Sequence, residues 1–108
     1  MTIHSIIVNE RQFREIHSGN QTILLLYNTD SLANIKAGDV LRISYGNKSY
    51  FHISLRAKLE AQNVEKLLNI VNTNDAGFFS RYEAEQYLED LSGTLPPNTQ
   101  PVALYLSF

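Results

Sequence analysis

The sequence predicts an α+β fold that is mainly β: a small mixed barrel of strands with two to three helices packed outside it. Three observations lead to this expectation. The chain has 108 residues, 44% of them hydrophobic and 19% charged, which suits one domain over residues 1–108 with its own core. Apolar runs of β-branched and aromatic composition recur along it. The first helical segment is too short to connect two parallel strands comfortably, which favours a mixed or antiparallel arrangement.

The first part of the chain predicts a strand, a short helix and a second strand. Residues 4–8 form a short apolar run rich in β-branched residues. Asn9 and Gln12 then have the spacing of a capping box, and Gly19 marks the end of the helix. Residues 22–27, TILLLY, show no polar alternation, which predicts a strand covered on both faces.

Residues 40–57 predict a β-hairpin. Apolar and polar residues alternate on both sides of Gly46 and Asn47, and these two residues tolerate the positive φ of a short hairpin turn. Because side chains alternate between the faces of a strand, one set of residues is expected on the outward face. This set comprises Arg42, Tyr50, His52, Arg56 and Lys58, with Lys48 at the tip of the turn.

Two helices and a closing strand are predicted after the hairpin. Apolar residues at helical spacing predict a helix over residues 64–71. Ser80 and Glu83 form a second capping box, and the helix that they open ends at Gly93. Residues 102–108, VALYLSF, have the composition of a strand. The predicted order is β-α-β-β-β-α-α-β, and we expect a closed barrel because closure would bury the edges of the apolar strands.

Composition and motifs exclude several classes of protein. The absence of cysteine excludes a disulfide scaffold, a thiolate zinc site and a cysteine nucleophile. The three histidines do not have the spacing of metal ligands, and no phosphate-binding glycine motif is present, so we expect neither a metal nor a cofactor. No apolar run reaches the roughly 18–20 residues that span a bilayer. We therefore expect a cytoplasmic protein that does not enter the membrane.

The charge is distributed unevenly along the chain. The formal net charge is −2, with +3 in residues 1–58 and −5 in residues 59–108. A net negative charge argues against indiscriminate binding of nucleic acid. The excess of cations in the first half nevertheless allows a weakly basic face there, opposite an acidic helix surface.

Two segments resemble a known family. Residues 13–23, FREIHSGNQTI, combine a short helix ending in Ser-Gly with a Thr-Ile that opens a strand. Residues 35–43, IKAGDVLRI, follow with Gly-Asp before the next strand. Together they resemble the ASCH domain of the PUA-like superfamily, and most closely its small bacterial members of the YqfB type, which are N4-acetylcytidine amidohydrolases. The resemblance implies a PUA-like barrel.

The residues that carry the chemistry in those amidohydrolases differ in this chain. The resemblance implies a catalytic lysine at the position of Gln21, a threonine at that of Leu24, and a glutamate near Gly77, where Asp75 is the nearby carboxylate. Glutamine cannot exchange a proton near neutral pH, and leucine has no hydroxyl. The wider family also favours polar residues in this strand, where the chain has Leu24 and Leu26. We therefore expect no catalytic residues.

Six residues form the candidate ligand-binding set. Gln21 and Thr22 belong to the cleft that the resemblance implies beside residues 19–23, and an amide side chain, which both donates and accepts, could bind a base edge. The cations and the tyrosine on the outward face of the hairpin suit phosphate contacts combined with base stacking. The complete set is Gln21, Thr22, Arg42, Tyr50, His52 and Arg56.

Three functions are compatible with these residues. The first is a non-catalytic binding module of ASCH type for RNA or a modified nucleoside. The second is an enzyme, amidohydrolase-like or RNA-processing, with a rearranged site that includes Thr22, Arg42 and Asp75. The third is a protein-interaction domain in which Leu24 and Leu26 fill the former pocket. The direction of these two leucines distinguishes the first function from the third, because a dry pocket would deprive a polar nucleoside of hydrogen bonds.

Overall fold

The computed structural model describes residues 2–47 and 49–108. Lys48, predicted at the tip of the hairpin, lies outside the described residues. The predicted order of strands and helices is confirmed, and so are the helix caps at Asn9 and Ser80. None of the described helices is long and apolar enough to cross a membrane. The elements are β1 (Ile3–Ile7), α1 (Glu10–His17), β2 (Ile23–Tyr27), β3 (Val40–Tyr45), β4 (Ser49–Glu60), α2 (Val64–Ile70), α3 (Arg81–Ser92) and β5 (Pro101–Ser107).

All five strands belong to one mixed sheet with the order β1-β3-β4-β5-β2. β1 pairs parallel with β3, whereas the other three pairs of neighbouring strands are antiparallel. The expected closure of the barrel is incomplete, because β1 and β2 are edge strands and no backbone hydrogen bond joins them in the described residues. The start of β2 is covered by a loop instead: the backbone N–H groups of Thr22 and Ile23 donate to the carbonyl of Asp75.

Apolar side chains form two clusters on opposite faces of this sheet. The inner cluster contains residues from every strand, including Ile6 of β1 and Leu24 of β2, so the sheet curves around it. The outer cluster lies between the sheet and the helices α2 and α3, and it includes Leu25 of β2 and Ala103 of β5. β2 therefore has both faces covered, as its sequence predicts. The outer cluster includes no described residue of β1, β3 or the first half of β4, so α2 and α3 do not cover the outward face of these strands.

A β-bulge in β4 changes which residues face outward. The register shifts between Leu55 and Ala57, so Arg56 is the additional residue. Before the bulge the even-numbered residues face outward, and after it Lys58 pairs with Leu104, a residue of the inner cluster. The prediction that Lys58 lies on the outward face is therefore wrong. Its ammonium group donates to the carbonyl of Leu32 at 2.8 Å, and only 10% of its side chain is exposed.

The Gly-Asp segment before β3 has a structural role. Asp39 accepts a hydrogen bond from the backbone N–H of Lys36 at 3.2 Å, which stabilises the turn that contains Gly38 at φ +93°. The same carboxylate oxygen lies 2.9 Å from Nε2 of His4 on β1, and both side chains are largely buried. The hydrogen bond with His4 holds the pKa of the Asp39 carboxyl below its ordinary value. This contact ties β1 to the beginning of β3.

Asp39→Asn should reduce the loss of stability in acid. Because the pKa of Asp39 is lower in the native state, its stabilising effect is complete above the unfolded pKa of about 4 and is lost as the pH falls through the native pKa. We expect the variant to be less stable than the wild type at neutral pH and to lose less stability between about pH 5 and pH 2. Urea unfolding across this range measures the difference. Asp90→Asn, which changes an exposed carboxylate of α3, is the control and should retain the wild-type pH dependence.

Candidate functional site

The six candidate residues fall into two separate groups in the fold. Gln21 and Thr22 lie immediately before β2, at one edge of the sheet. Arg42 lies on β3, and Tyr50, His52 and Arg56 lie on β4, which is separated from β2 by β5. The structure therefore does not bring the two groups into one site. Ligand binding by any of them stays a prediction.

Gln21 is an interior residue with only 2% of its surface exposed. Its amide nitrogen donates to the carbonyl of Ile23 at 3.1 Å. Gly77 packs directly against it, since a Cβ atom at that position would lie 2.7 Å from Oε1 of Gln21. Arg11 donates from Nη2 to the carbonyl of Gly77 at 2.9 Å and so holds this loop in place. The position to which the resemblance assigns a catalytic lysine is therefore enclosed, next to the position to which it assigns a glutamate.

The two leucines of β2 face the inner cluster. Leu24 is fully buried in it, and Leu26 is partly buried against it. Because both side chains face the core and not a cleft, one of the two conditions for a binding module is met. The other condition, an open cleft lined by Gln21 and Thr22, is not met, because Gln21 is enclosed while Thr22 is only partly exposed.

The second group forms a continuous polar and aromatic surface, which we call the β3–β4 outer face. Arg42 and His52 are paired across the two strands, and Cζ of Arg42 lies 4.0 Å from the centre of the Tyr50 ring. The rings of Tyr50 and His52 meet edge to face, with their centres 5.7 Å apart. Tyr50 is 55% exposed. The surface consists of Arg42, Tyr50, His52 and Arg56.

The cations of this surface are not neutralised by nearby carboxylates. In the described part of the chain, none of the ion pairs includes Arg42 or Arg56. Cζ of Arg56 lies 5.8 Å from the centre of the Tyr105 ring, so each arginine is placed over an aromatic side chain. Such cation–π contacts orient a guanidinium group while its charge remains available to an anion.

A depression next to Tyr50 extends the surface toward α1. It has a volume of about 480 Å³ and is lined by Phe13, Arg14, His17, Ser49 and Tyr50. The rings of Phe13 and His17 are nearly parallel, with an interplanar angle of 7°. Both rings belong to α1, which the sequence predicts as a short helix between Asn9 and Gly19. That the C-terminal turn of α1 reaches the β3–β4 hairpin follows from the parallel pairing of β1 with β3, which the sequence did not indicate.

The described residues contain no group of three histidine, aspartate or glutamate side chains that could hold a metal ion. The aromatic and cationic side chains described above can instead contact a phosphate group and stack on a flat ring. The β3–β4 outer face is thus the surface whose chemistry is least explained by packing.

Solved structures share this fold. A hypothetical protein designated PH0355 matches 99% of the chain over 98% of its own length, with a TM-score of 0.76 and 15% identity. ZmASCH from Zymomonas mobilis, as a single-substitution mutant, matches the whole chain over 70% of its length, with a TM-score of 0.73 and 18% identity. The unsubstituted ZmASCH matches 99% of the chain over 68% of its length, with a TM-score of 0.64. No protein-family profile and no curated protein sequence matches the chain.

A double-mutant cycle tests the packing of Gly77 on Gln21. Gly77→Ala should lower the free energy of unfolding by roughly 1–3 kcal/mol, because alanine is strained at φ +87° and its methyl group would overlap the Gln21 amide. In a Gln21→Ala background the same substitution should cost about 1 kcal/mol less, since the overlap is gone. Chemical denaturation of the four proteins measures the coupling.

Gly38→Ala is the matched control for this cycle. Gly38 has φ +93° but no atom near the position of a Cβ, so its substitution carries the backbone strain without the overlap. Its cost should be the same with and without Gln21→Ala. Equal coupling for both glycines would show that Gly77 does not close over Gln21.

Proposed function

We propose that this chain, which has the fold of the ASCH domain structures, is a non-catalytic RNA-binding domain and that it binds single-stranded RNA on the β3–β4 outer face. The observation that carries this proposal is the exposed stack of the Arg42 guanidinium on the Tyr50 ring. Among the described residues, no carboxylate lies within ion-pair distance of Arg42. Arg42 and Arg56 bind phosphate oxygens, and the exposed ring of Tyr50 stacks on a base.

The shape of the surface favours a strand of nucleic acid over a free nucleoside. A small ligand binds best in an enclosed pocket that buries most of its surface. Gln21, the residue expected to contact a nucleoside, already donates its amide to Ile23, and Gly77 covers it. An open face with two arginines and a tyrosine suits a ligand that extends over several nucleotides. With so few cations, we expect modest affinity that falls as salt increases.

A non-catalytic role is supported by the positions that the resemblance assigns to catalysis. Gln21 and Leu24 supply neither a titratable amine nor a hydroxyl, and Leu24 is fully buried in the inner cluster. Asp75, the carboxylate closest in sequence to Gly77, is exposed. Gln21 and Leu24 therefore cannot take the roles that the resemblance gives to a lysine and a threonine.

Arg42→Ala and Tyr50→Ala should each weaken the binding of a short single-stranded RNA. Loss of the stacked base contact should cost about 1–3 kcal/mol for Tyr50→Ala. Arg42→Ala should also lower the slope of log Kd against log salt by about 0.7, the value for one phosphate contact on a single strand. Fluorescence anisotropy with a labelled oligonucleotide at several salt concentrations measures both effects.

Two substitutions on the helices that cover the β5–β2 half of the sheet serve as controls. Lys66→Ala removes one exposed cation from α2, and Tyr82→Ala removes an exposed tyrosine, 69% accessible, from α3. Both should leave the affinity unchanged. The proposal fails if the wild-type protein does not bind RNA at low salt, or if the controls weaken binding as much as the β3–β4 variants. A DNA strand of the same sequence shows how much of the affinity depends on the 2′-hydroxyl.

A further inference from the structure

The two edge strands of the sheet line a common groove. β1 contributes Ser5 and Ile7 to it, and β2 contributes Leu26 and Tyr27. Leu91 at the end of α3 and Leu95 in the turn after it close one side. The groove has a volume of about 250 Å³. The strand pairings make β1 and β2 run in opposite directions across it. This groove occupies the place where direct pairing of β1 with β2 would have closed the barrel.

The edge of β2 has backbone groups without a hydrogen-bonding partner in the sheet. The N–H of Leu106 donates to the carbonyl of Thr22, and the N–H of Asn28 donates to the carbonyl of Gln100, which identifies the even-numbered residues of β2 as those bonded to β5. The backbone groups of Leu25 and Tyr27 therefore point away from β5, and of these the Tyr27 carbonyl already accepts a hydrogen bond from the N–H of Thr29 at 2.8 Å. Leu25 is only 1% exposed, so water has little access to these groups.

The edge of β1 also has backbone groups without a hydrogen-bonding partner in the sheet. The N–H of Val40 donates to the carbonyl of Thr2, and the N–H of Val8 donates to the carbonyl of Ser44. In a parallel pair this pattern assigns the even-numbered residues of β1 to β3. The N–H and C=O groups of Ser5 and Ile7 consequently point toward the free edge, into the groove that they line.

The groove is uncharged, and its edges carry none of the usual protection against strand pairing. No charged side chain is among the described residues that line it. Neither β1, IHSII, nor β2, ILLLY, contains a lysine or a proline, the residues that commonly prevent an edge from pairing. An anion such as RNA would find no countercharge there, whereas the alternating donors and acceptors match the backbone of an extended chain.

We propose that this groove binds an extended, uncharged peptide segment of a partner protein, which adds a sixth strand between β1 and β2. The segment satisfies the free backbone groups of Ser5 and Ile7 on one side and, on the other, those of Leu25 and the N–H of Tyr27. Alternate side chains of the segment face inward beside Ile6 and Leu26, which requires them to be apolar. The volume suits about two or three residues, below the roughly 300–1,000 Å³ of typical ligand pockets. The proposal does not depend on RNA binding, since it uses a different surface.

Amide hydrogen exchange of the free protein tests the edge. The amides of Leu24 and Leu26 should exchange slowly, because they bond to β5, whereas those of Leu25 and Tyr27 should exchange faster despite their burial. Slow exchange at Leu25 and Tyr27 equal to that of their neighbours would mean that β2 is already paired on this side, and it would overturn the proposal.

Selection from a displayed library of linear random peptides, with the full chain immobilised, tests the ligand. Enriched sequences should share an uncharged central segment with alternating apolar residues. A synthetic peptide of the most enriched sequence should shift the amide resonances of Ser5, Ile7, Leu25 and Tyr27 and slow their exchange. Failure to enrich any peptide over the bare surface, or shifts confined to Arg42, Tyr50 and His52, would overturn the proposal.

A pair of threonine substitutions locates the binding site. Thr94 is exposed at the groove, and its hydroxyl donates to the carbonyl of Leu91. Thr99 makes the same type of hydrogen bond to Pro96 but does not line the groove. Thr94→Arg places a charged side chain at the opening and should weaken peptide binding by about tenfold or more. Thr99→Arg should bind like the wild type. Equal affinity of the two variants would place the peptide elsewhere and overturn the proposal.

Discussion

The burial of β5 on both faces is the constraint on which the rest of the fold depends. Leu104 and Leu106 pack in the inner cluster, while Ala103 packs under the helices in the outer one. The segment between β4 and β5 contains both α2 and α3, which contact β5 and β2 respectively. Because these two helices cover the β5–β2 half of the sheet, the outward face of β1, β3 and the first half of β4 stays open. The surface proposed for RNA and the unpaired edges both follow from this placement.

The loop between α2 and α3 has a second effect, at the start of β2. The carbonyl of Asp75 accepts from two backbone N–H groups of this strand, and Gly77 closes over the side chain of Gln21. Arg11 fastens the same loop to α1. Contacts that stabilise the edge of the sheet thus also fill the cleft that the resemblance implies. A ligand that needed Gln21 would have to displace Gly77, whereas a ligand on the opposite half of the sheet meets no such obstacle.

Local features could be predicted from the sequence, and features that depend on pairing could not. Capping residues such as Asn9 and Ser80 and the alternation around Gly46 act within a few residues, so helix and strand positions were confirmed. The parallel pairing of β1 with β3 joins segments far apart in the chain, and no local pattern reports it. The side chain of Lys58 faces inward because of the bulge at Arg56. Strict alternation of side chains between the two faces of a strand does not predict such a bulge. The burial of Gln21 depends on a loop more than fifty residues away.

The enclosed pair of Gln21 and Gly77 argues against accommodating a lysine at position 21 by a single substitution. Gln21→Lys would place an ammonium group at a position that is 2% exposed, beside backbone atoms of Gly77 and with the Asp75 carboxylate on an exposed residue. An unpaired buried charge is strongly destabilising, and burial would lower the pKa of such a lysine. A carboxylate at position 77 would compensate for the charge, but φ +87° disfavours every residue except glycine there. A neutral amide next to a glycine is compatible with this interior, whereas a lysine next to a glutamate would require a different loop. The two positions therefore serve the packing of this interior, whereas Arg42 and Tyr50 remain exposed on the open half of the sheet.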